Sequence, residues 1–380
     1  MSQPSYPKNN IGRELIPLTI TNQTGRQKLY IDVRGTTDAD HPDHKWYHLS
    51  NVDGTVELCT PSSKTSYSIE INSDTQTIQL PRLASLRLYF SFDNPLYFVV
   101  GDNGIPNSPN GTNDSWTYHT LYDFIEMTWV IDPEIKTIEH NSLGGNTSQV
   151  DFFGFPMSLS LTGDDGSGKP VTKQSGFSAA GVRDKIFQDM LGLPSPWRDL
   201  VFADNNFNYR ALCPYHGMEA NLFPRNQLDK YINEVWKHYE EETLTTSVEG
   251  VNYEGKVNND MLIFNPVQGD AAQIQFKKPS TWDVYLNGPN PDIPTKPANA
   301  IMAMLQAGFL RSTLLLSSSL PDCDTTKFYQ NEPVNLYAKI IHRYGTDGKA
   351  YAFGFDDVCS QSSVSILYNP TSARITLLKF

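Results

Sequence analysis

Between Leu15 and about Leu161, apolar and polar residues alternate in short runs such as Lys28-Leu29-Tyr30-Ile31-Asp32-Val33 and Ser85-Leu86-Arg87-Leu88-Tyr89-Phe90-Ser91, separated by Gly, Asn and Pro turns. A period of two sends successive side chains to opposite faces of a strand, so this half reads as all-β. Beyond the Gly- and Asp-rich loop Gly163 to Lys169 the period changes. Helical spacing is expected in Val182 to Leu191 and in Asn226 to Glu241, where Leu228, Tyr231, Ile232, Val235, Trp236 and Tyr239 form one core-facing stripe. Pro297, a residue favoured at a first helical position, opens a further helix that turns Ile301, Met302, Leu305 and Phe309 inward. Strand patterns return in Asn335 to Arg343, Ala350 to Phe355 and Arg374 to Phe380.

Two strand-like segments each carry a carboxylate inside an otherwise apolar or hydroxyl-bearing run: Phe124-Ile125-Glu126-Met127-Thr128-Trp129, and Asn146 to Pro156 with Asp151. In the first, Ile125, Met127 and Trp129 share one face while Phe124, Glu126 and Thr128 share the other. A carboxylate beside an aromatic ring is costly to desolvate, which raises its proton affinity and suits it to donate a proton; Asp151 is then its ionised counterpart.

These segments resemble the core of glycoside hydrolase family 64, the endo-β-1,3-glucanases that release laminaripentaose, whose barrel is similar to that of thaumatin-like proteins. In that family the Glu of an E-F-T strand is the acid and the Asp of a following V-D-F-V-G-x-P strand is the base, which match Glu126 and Asp151. Tyr231 to Tyr239, Phe276 to Thr281, Arg311 to Leu315 and Tyr351 to Val358 also look like family blocks in family order. The resemblance implies a mainly β protein with an α+β insertion. A thaumatin-like β-barrel domain is expected over 1–178 and 334–380, and a smaller mixed α/β domain over 179–333, with a groove between them. It implies hydrolysis of β-1,3-glucan and laminari-oligosaccharides with inversion, without cofactor or metal, by a secreted monomer. An inverting pair is expected to stand roughly 6.5 to 9.5 Å apart, with no hydrogen bond between the two groups. A non-catalytic glucan-binding protein with the same acidic cleft is the rival reading.

The spacing from Glu126 to Asp151 is wider than the family pattern, and the excess falls in Val130 to Gly145, which adds Asp132 and Glu139 as rival carboxylates. Glu126 is preferred because its flanking residues match the family strand. Thr128, on the same face, and Asn146, where the family strand also carries Asn, are candidate contacts to sugar hydroxyls. Asp356 and Asp357 resemble the paired acids of the thaumatin-like cleft, and Arg87 its Arg. Tyr122 and Trp116 are possible sugar platforms, whereas alternation turns Trp129 inward.

Composition narrows the alternatives. The 380 residues are 39% hydrophobic, enough for a sizeable core, and a net charge of -12 argues against binding a phosphate backbone. No run approaches the roughly 20 apolar residues that span a bilayer, and the start Met1 to Tyr6 is not a signal peptide, so the expected secretion is an inference from resemblance. Cys59, Cys213, Cys323 and Cys359 read first as buried free thiols, with a Cys323 to Cys359 bridge as the alternative. His216, beside Cys213, lacks an evident catalytic partner in sequence and reads as structural.

Overall fold

The computed structural model of the protein describes residues 14–37, 45–108, 116–131, 141–286 and 295–380. Asp132 and Glu139, with most of the extra Val130 to Gly145 segment, lie outside the described residues.

The alternating half forms strands, among them Leu15–Asn22, Leu29–Thr36, Thr75–Pro81, Ala84–Phe92, Leu121–Ile131, Asn141–Thr147 and Met157–Asp164. With the C-terminal strand Ser365–Leu377 they belong to one twelve-stranded sheet that rolls into a nearly closed barrel. Ser365–Leu377 does most to roll it up. Its first part pairs with Asn141–Thr147, and its later part pairs in parallel with Leu15–Asn22, so the first and last described strands lie in the same wall. Every second residue points inward: Leu18, Ile20, Val33, Leu86, Leu88, Ile125, Met127, Leu143, Leu159 and Ile375 are buried in one core. Each such side chain stabilises the barrel by about 1.5–3 kcal/mol.

A second core lies against part of the barrel's outer face. The helices Val182–Leu191, Asp229–Glu241, Lys296–Leu310 and Leu336–Tyr344 contribute to it, together with residues of a three-stranded and a five-stranded sheet. The expected stripes are the buried faces: Tyr231, Ile232, Val235, Trp236 and Tyr239 in one helix, Ile301, Met302, Leu305 and Phe309 in another. Two of the sequence blocks that resemble the family meet here, because Leu314 N donates to Tyr231 Oη at 3.1 Å while Tyr239 Oη donates to Leu314 O at 2.6 Å.

Three expectations are corrected. The Asn335 to Arg343 segment is the helix Leu336–Tyr344: Tyr337, Ala338, Ile340 and Ile341 are spaced for one helical face, and the Asn335 side chain accepts from Ala338 N as an N-cap. Ala350 to Phe355 is not a strand, because buried Asp356 accepts from Ala352 N at 2.9 Å and holds the backbone in turns. Val334 to Phe353 therefore packs into the second core, and the chain re-enters the barrel sheet at Ser365. Finally, Cys323 and Cys359 form a disulfide with a Cα–Cα distance of 5.3 Å, whereas Cys59 and Cys213 are buried free thiols.

Candidate active site

One row of side chains crosses four adjacent strands. In the ladder, Arg34 stands opposite Arg87, Arg87 opposite Glu126, and Glu126 opposite Asn146. Cross-strand partners share a face, so all four project from the outside of the barrel. Along Leu121–Ile131 that outer face changes character. Tyr122 and Phe124 are covered by the second core, and Glu126 is the first residue to emerge from beneath it, followed by exposed Thr128. Arg34, Trp46, Arg87, Glu126, Asn146 and Tyr351 help to line a cavity of about 550 Å³ at that edge.

Glu126 is not the isolated carboxylate that the strand pattern suggests. Arg87 Nη2 lies 3.1 Å from Glu126 Oε1, with both side chains 30% exposed. The arginine is fixed in turn by donating to Ser108 Oγ at 2.6 Å and by lying over the Phe124 ring at 5.2 Å. This pair follows from the register between two strands, which alternation along one strand does not reveal.

Asp151 is not on a strand beside Glu126. Asn146 takes the cross-strand position, and Asp151 lies in the bend between Asn141–Thr147 and the short strand Phe152–Phe153. Two devices hold it in place. On the barrel side, Gly154 N and Phe155 N donate to Asp123 Oδ2 at 2.7 and 3.1 Å, tying the Asp151 segment to the strand of Glu126. Gly154 is required for this approach, since a Cβ there would stand 2.4 Å from Tyr122 O. Burial pushes the Asp123 carboxyl up to about 7 even though three backbone N–H groups favour its charge. On the other side, Cys213 N donates to Asp151 O at 3.0 Å and Phe152 pairs with Leu212.

The helix Pro214–Glu219 begins at Cys213 and brings His216 Nε2 to 3.3 Å from Asp151 Oδ1, while His216 Nδ1 stands 2.6 Å from Glu219 Oε2. Burial works to raise the Asp151 carboxyl, but the hydrogen bond and charge of His216, helped by Arg87, hold it below the usual carboxylate range. Arg87 is thus influenced electrostatically by both Glu126 and Asp151. No hydrogen bond joins those two carboxylates among the described residues.

His216 is the residue that sequence reasoning set aside. Its spacing of three from Glu219, just after a helix-starting Pro, was the available signal; its contact with Asp151 spans distant parts of the chain.

The other candidates divide. Thr128 Oγ1 accepts from Ser85 N at 3.3 Å, and its side chain is exposed. Asn146 is buried, and its Nδ2 has no hydrogen-bond partner among the described residues. Asp357 is exposed; partial burial and the adjacent Asp356 charge raise its carboxyl, with its own backbone opposing. Asp356 itself is 0% exposed, and its oxygens are occupied by Arg311 at 2.9 Å, His342 at 2.8 Å and Ala352 N. Burial opposes its ionisation, yet His342 and Arg311 keep it below the ordinary carboxylate range. Tyr122 is likewise 0% exposed, against Phe152 and Arg210. Neither Asp356 nor Tyr122 presents a surface to a sugar, which corrects both expectations. Trp129 is buried in the barrel core, and Trp116 is exposed with Lys64 over its ring at 4.9 Å.

Comparison with known proteins places this architecture. The chain is 29% identical over 393 residues to a glucan endo-1,3-β-glucosidase of Cellulosimicrobium cellulans; that match covers 96% of this chain and 65% of the relative's length. It superposes with a TM-score of 0.81 on the crystal structure of a laminaripentaose-producing β-1,3-glucanase in complex with laminaritetraose, at 29% identity, covering 96% of this chain and 99% of that one. A β-1,3-glucanase domain from Clostridium beijerinckii shares the fold, with a TM-score of 0.76 at 24% identity over 97% of this chain and 99% of that one. The sequence profile of one family, described as β-1,3-glucanase, matches residues 14–377, and on that match the chain belongs to glycoside hydrolase family 64.

Proposed function

We propose that this chain hydrolyses internal bonds of β-1,3-glucans with inversion, using Glu126 as general acid and Asp151 as general base. Glu126 gives its proton to the leaving glycosidic oxygen as that bond to the anomeric carbon breaks. Water attacks the same carbon from the opposite face, and its proton passes to Asp151. No covalent sugar intermediate forms. In the resting site Arg87 pairs with Glu126, so proton donation begins with the glucan taking the place of Arg87 beside that carboxyl.

The observation that carries this reading is that Glu126 opens onto the cleft from a strand tied through Asp123 to the Asp151 segment, with no hydrogen bond between the two carboxylates among the described residues. Asn146, Thr128 and Asp357 are read as contacts to sugar hydroxyls. Likeness to the laminaripentaose-producing relative supports laminaripentaose as the product and laminari-oligosaccharides as ligands. The barrel is further read as thaumatin-like, and the insertion expected over 179–333 is extended to about residue 364 because Val334 to Phe353 packs into the second core; the return of Ser365–Leu377 to pair with Leu15–Asn22 supports this reading.

The test is hydrolysis of laminarin by the protein and by Glu126→Gln and Asp151→Asn. Each variant is expected to lose about 100-fold or more in kcat while still co-sedimenting with insoluble glucan. Retention of activity within two-fold by either variant refutes its role, and binding without hydrolysis by the parent refutes catalysis altogether.

A further inference from the structure

We propose that His216, braced by Glu219, is a positioning residue that keeps Asp151 ionised and aims its free oxygen at the attacking water. This rests on the reading of Asp151 as general base. The geometry is specific to one oxygen. His216 Nε2 meets Asp151 Oδ1 at 3.3 Å, whereas no hydrogen bond to Asp151 Oδ2 occurs among the described residues. The carboxylate is therefore held at one end and offers the other.

The imidazole is fixed as firmly as the carboxylate. His216 N donates to Cys213 Sγ at 3.4 Å, Cys213 N donates to Asp151 O at 3.0 Å, and one turn on, Glu219 Oε2 lies 2.6 Å from Nδ1. A carboxylate on each ring nitrogen requires a proton on each, so the ring between them is an imidazolium. Burial of the ring opposes that charge, but Asp151 and then Glu219 raise His216 above its ordinary range.

The other groups facing this cluster are few among the described residues. The Arg87 charge favours ionised Asp151, the Asp151 charge raises buried Tyr337, and Tyr215, whose ring packs against His216, feels the charges of Glu219 and Arg225. The site thus sets two cations, Arg87 and His216, around a base that must shed a proton each turnover. The imidazolium makes Asp151 a weaker base but one that is ionised over a wider range of pH. Sign follows directly: without that cation Asp151 protonates at higher pH, so the acidic limb of activity moves up.

The experiment compares the parent with His216→Gln, Glu219→Gln, Asp151→Asn and the double variant His216→Gln/Asp151→Asn, on laminari-oligosaccharides across pH. His216→Gln is expected to lower kcat about 10- to 100-fold with KM within about two-fold, and to move the acidic limb of kcat/KM upward. Glu219→Gln, at a partly exposed position, is expected to shift the limb in the same direction by less. In the Asp151→Asn background, His216→Gln is expected to have no further effect on the residual rate, because residues acting as one unit are not additive. A His216→Gln enzyme with normal kcat and an unmoved limb, alongside an inactive Asp151→Asn, overturns this inference while leaving the base assignment intact. A fully active Asp151→Asn overturns both. Equal multiplicative losses in the two backgrounds, with a lowered melting temperature, reveal a merely structural histidine and also overturn it.

Discussion

Replacing Asp356 by Asn separates a buried strut from a sugar contact. The carboxylate is wholly enclosed, accepts from Arg311 Nη2 at 2.9 Å and Ala352 N at 2.9 Å, and meets His342 Nε2 at 2.8 Å. Asparagine keeps the shape but can offer only one accepting oxygen, so its NH2 faces a donor on one side, and Arg311 is left as an uncompensated buried cation. Removing one partner of such a pair costs about 3–5 kcal/mol, and in a chain of this size that lowers the melting temperature by roughly 5 °C or more. Linkage adds a pH signature. The Asp356 carboxyl is depressed on folding, so its contribution is present above the unfolded pKa and is lost as pH falls through the folded one; His342 is raised, so its contribution is present below its unfolded pKa and is lost as pH rises through the folded one. Stability from the pair is therefore greatest between the two, and the difference between parent and variant narrows at either extreme. Differential scanning calorimetry from acid to mildly alkaline pH measures it. An unchanged melting temperature with a strongly raised KM would show that Asp356 meets the glucan after all, and would refute the strut.

Arg87→Ala is expected to move the acidic limb of kcat/KM upward, because Arg87 helps to keep Asp151 ionised, while moving the melting temperature by less than about 2 °C, since a partly exposed ion pair contributes at most about 1 kcal/mol; pH–activity profiles and thermal denaturation measured together decide it. Asn146→Ala removes an amide whose Nδ2 has no partner among the described residues, so stability is expected to hold while KM rises about 10-fold, the effect of one lost hydrogen bond of about 1–1.5 kcal/mol; titration with laminari-oligosaccharides reads it. Gly154→Ala places a Cβ 2.4 Å from Tyr122 O and forces the Asp151 segment away from the Glu126 strand; a loss of roughly 1–3 kcal/mol by denaturant titration is expected, with a larger proportional loss of kcat than of binding.

Much of the fold was legible because burial follows period. The barrel strands and the stripes on Asp229–Glu241 and Lys296–Leu310 read directly from apolar spacing. Leu336–Tyr344 misled because adjacent Ile340 and Ile341 suggest a strand, while the deciding signal was the single N-cap Asn335. At the site, alternation correctly turned Glu126 away from Ile125 and Met127. It said nothing of Arg87 across the ladder, or of Asp123 and His216, which hold Asp151 through contacts distant in sequence. The Asp356-Asp357 pair shows the same limit: in a turn, neighbours of identical chemistry point one inward and one outward, and only tertiary packing decides which.

The configuration of the first product tests the central claim most directly. Proton NMR during the opening minutes of laminari-oligosaccharide cleavage is expected to show the α-anomer of the new reducing end before mutarotation, as water delivered through Asp151 requires. Initial appearance of the β-anomer would mean retention through a covalent intermediate, and would contradict the assignment of Glu126 and Asp151 as an acid and base flanking a water.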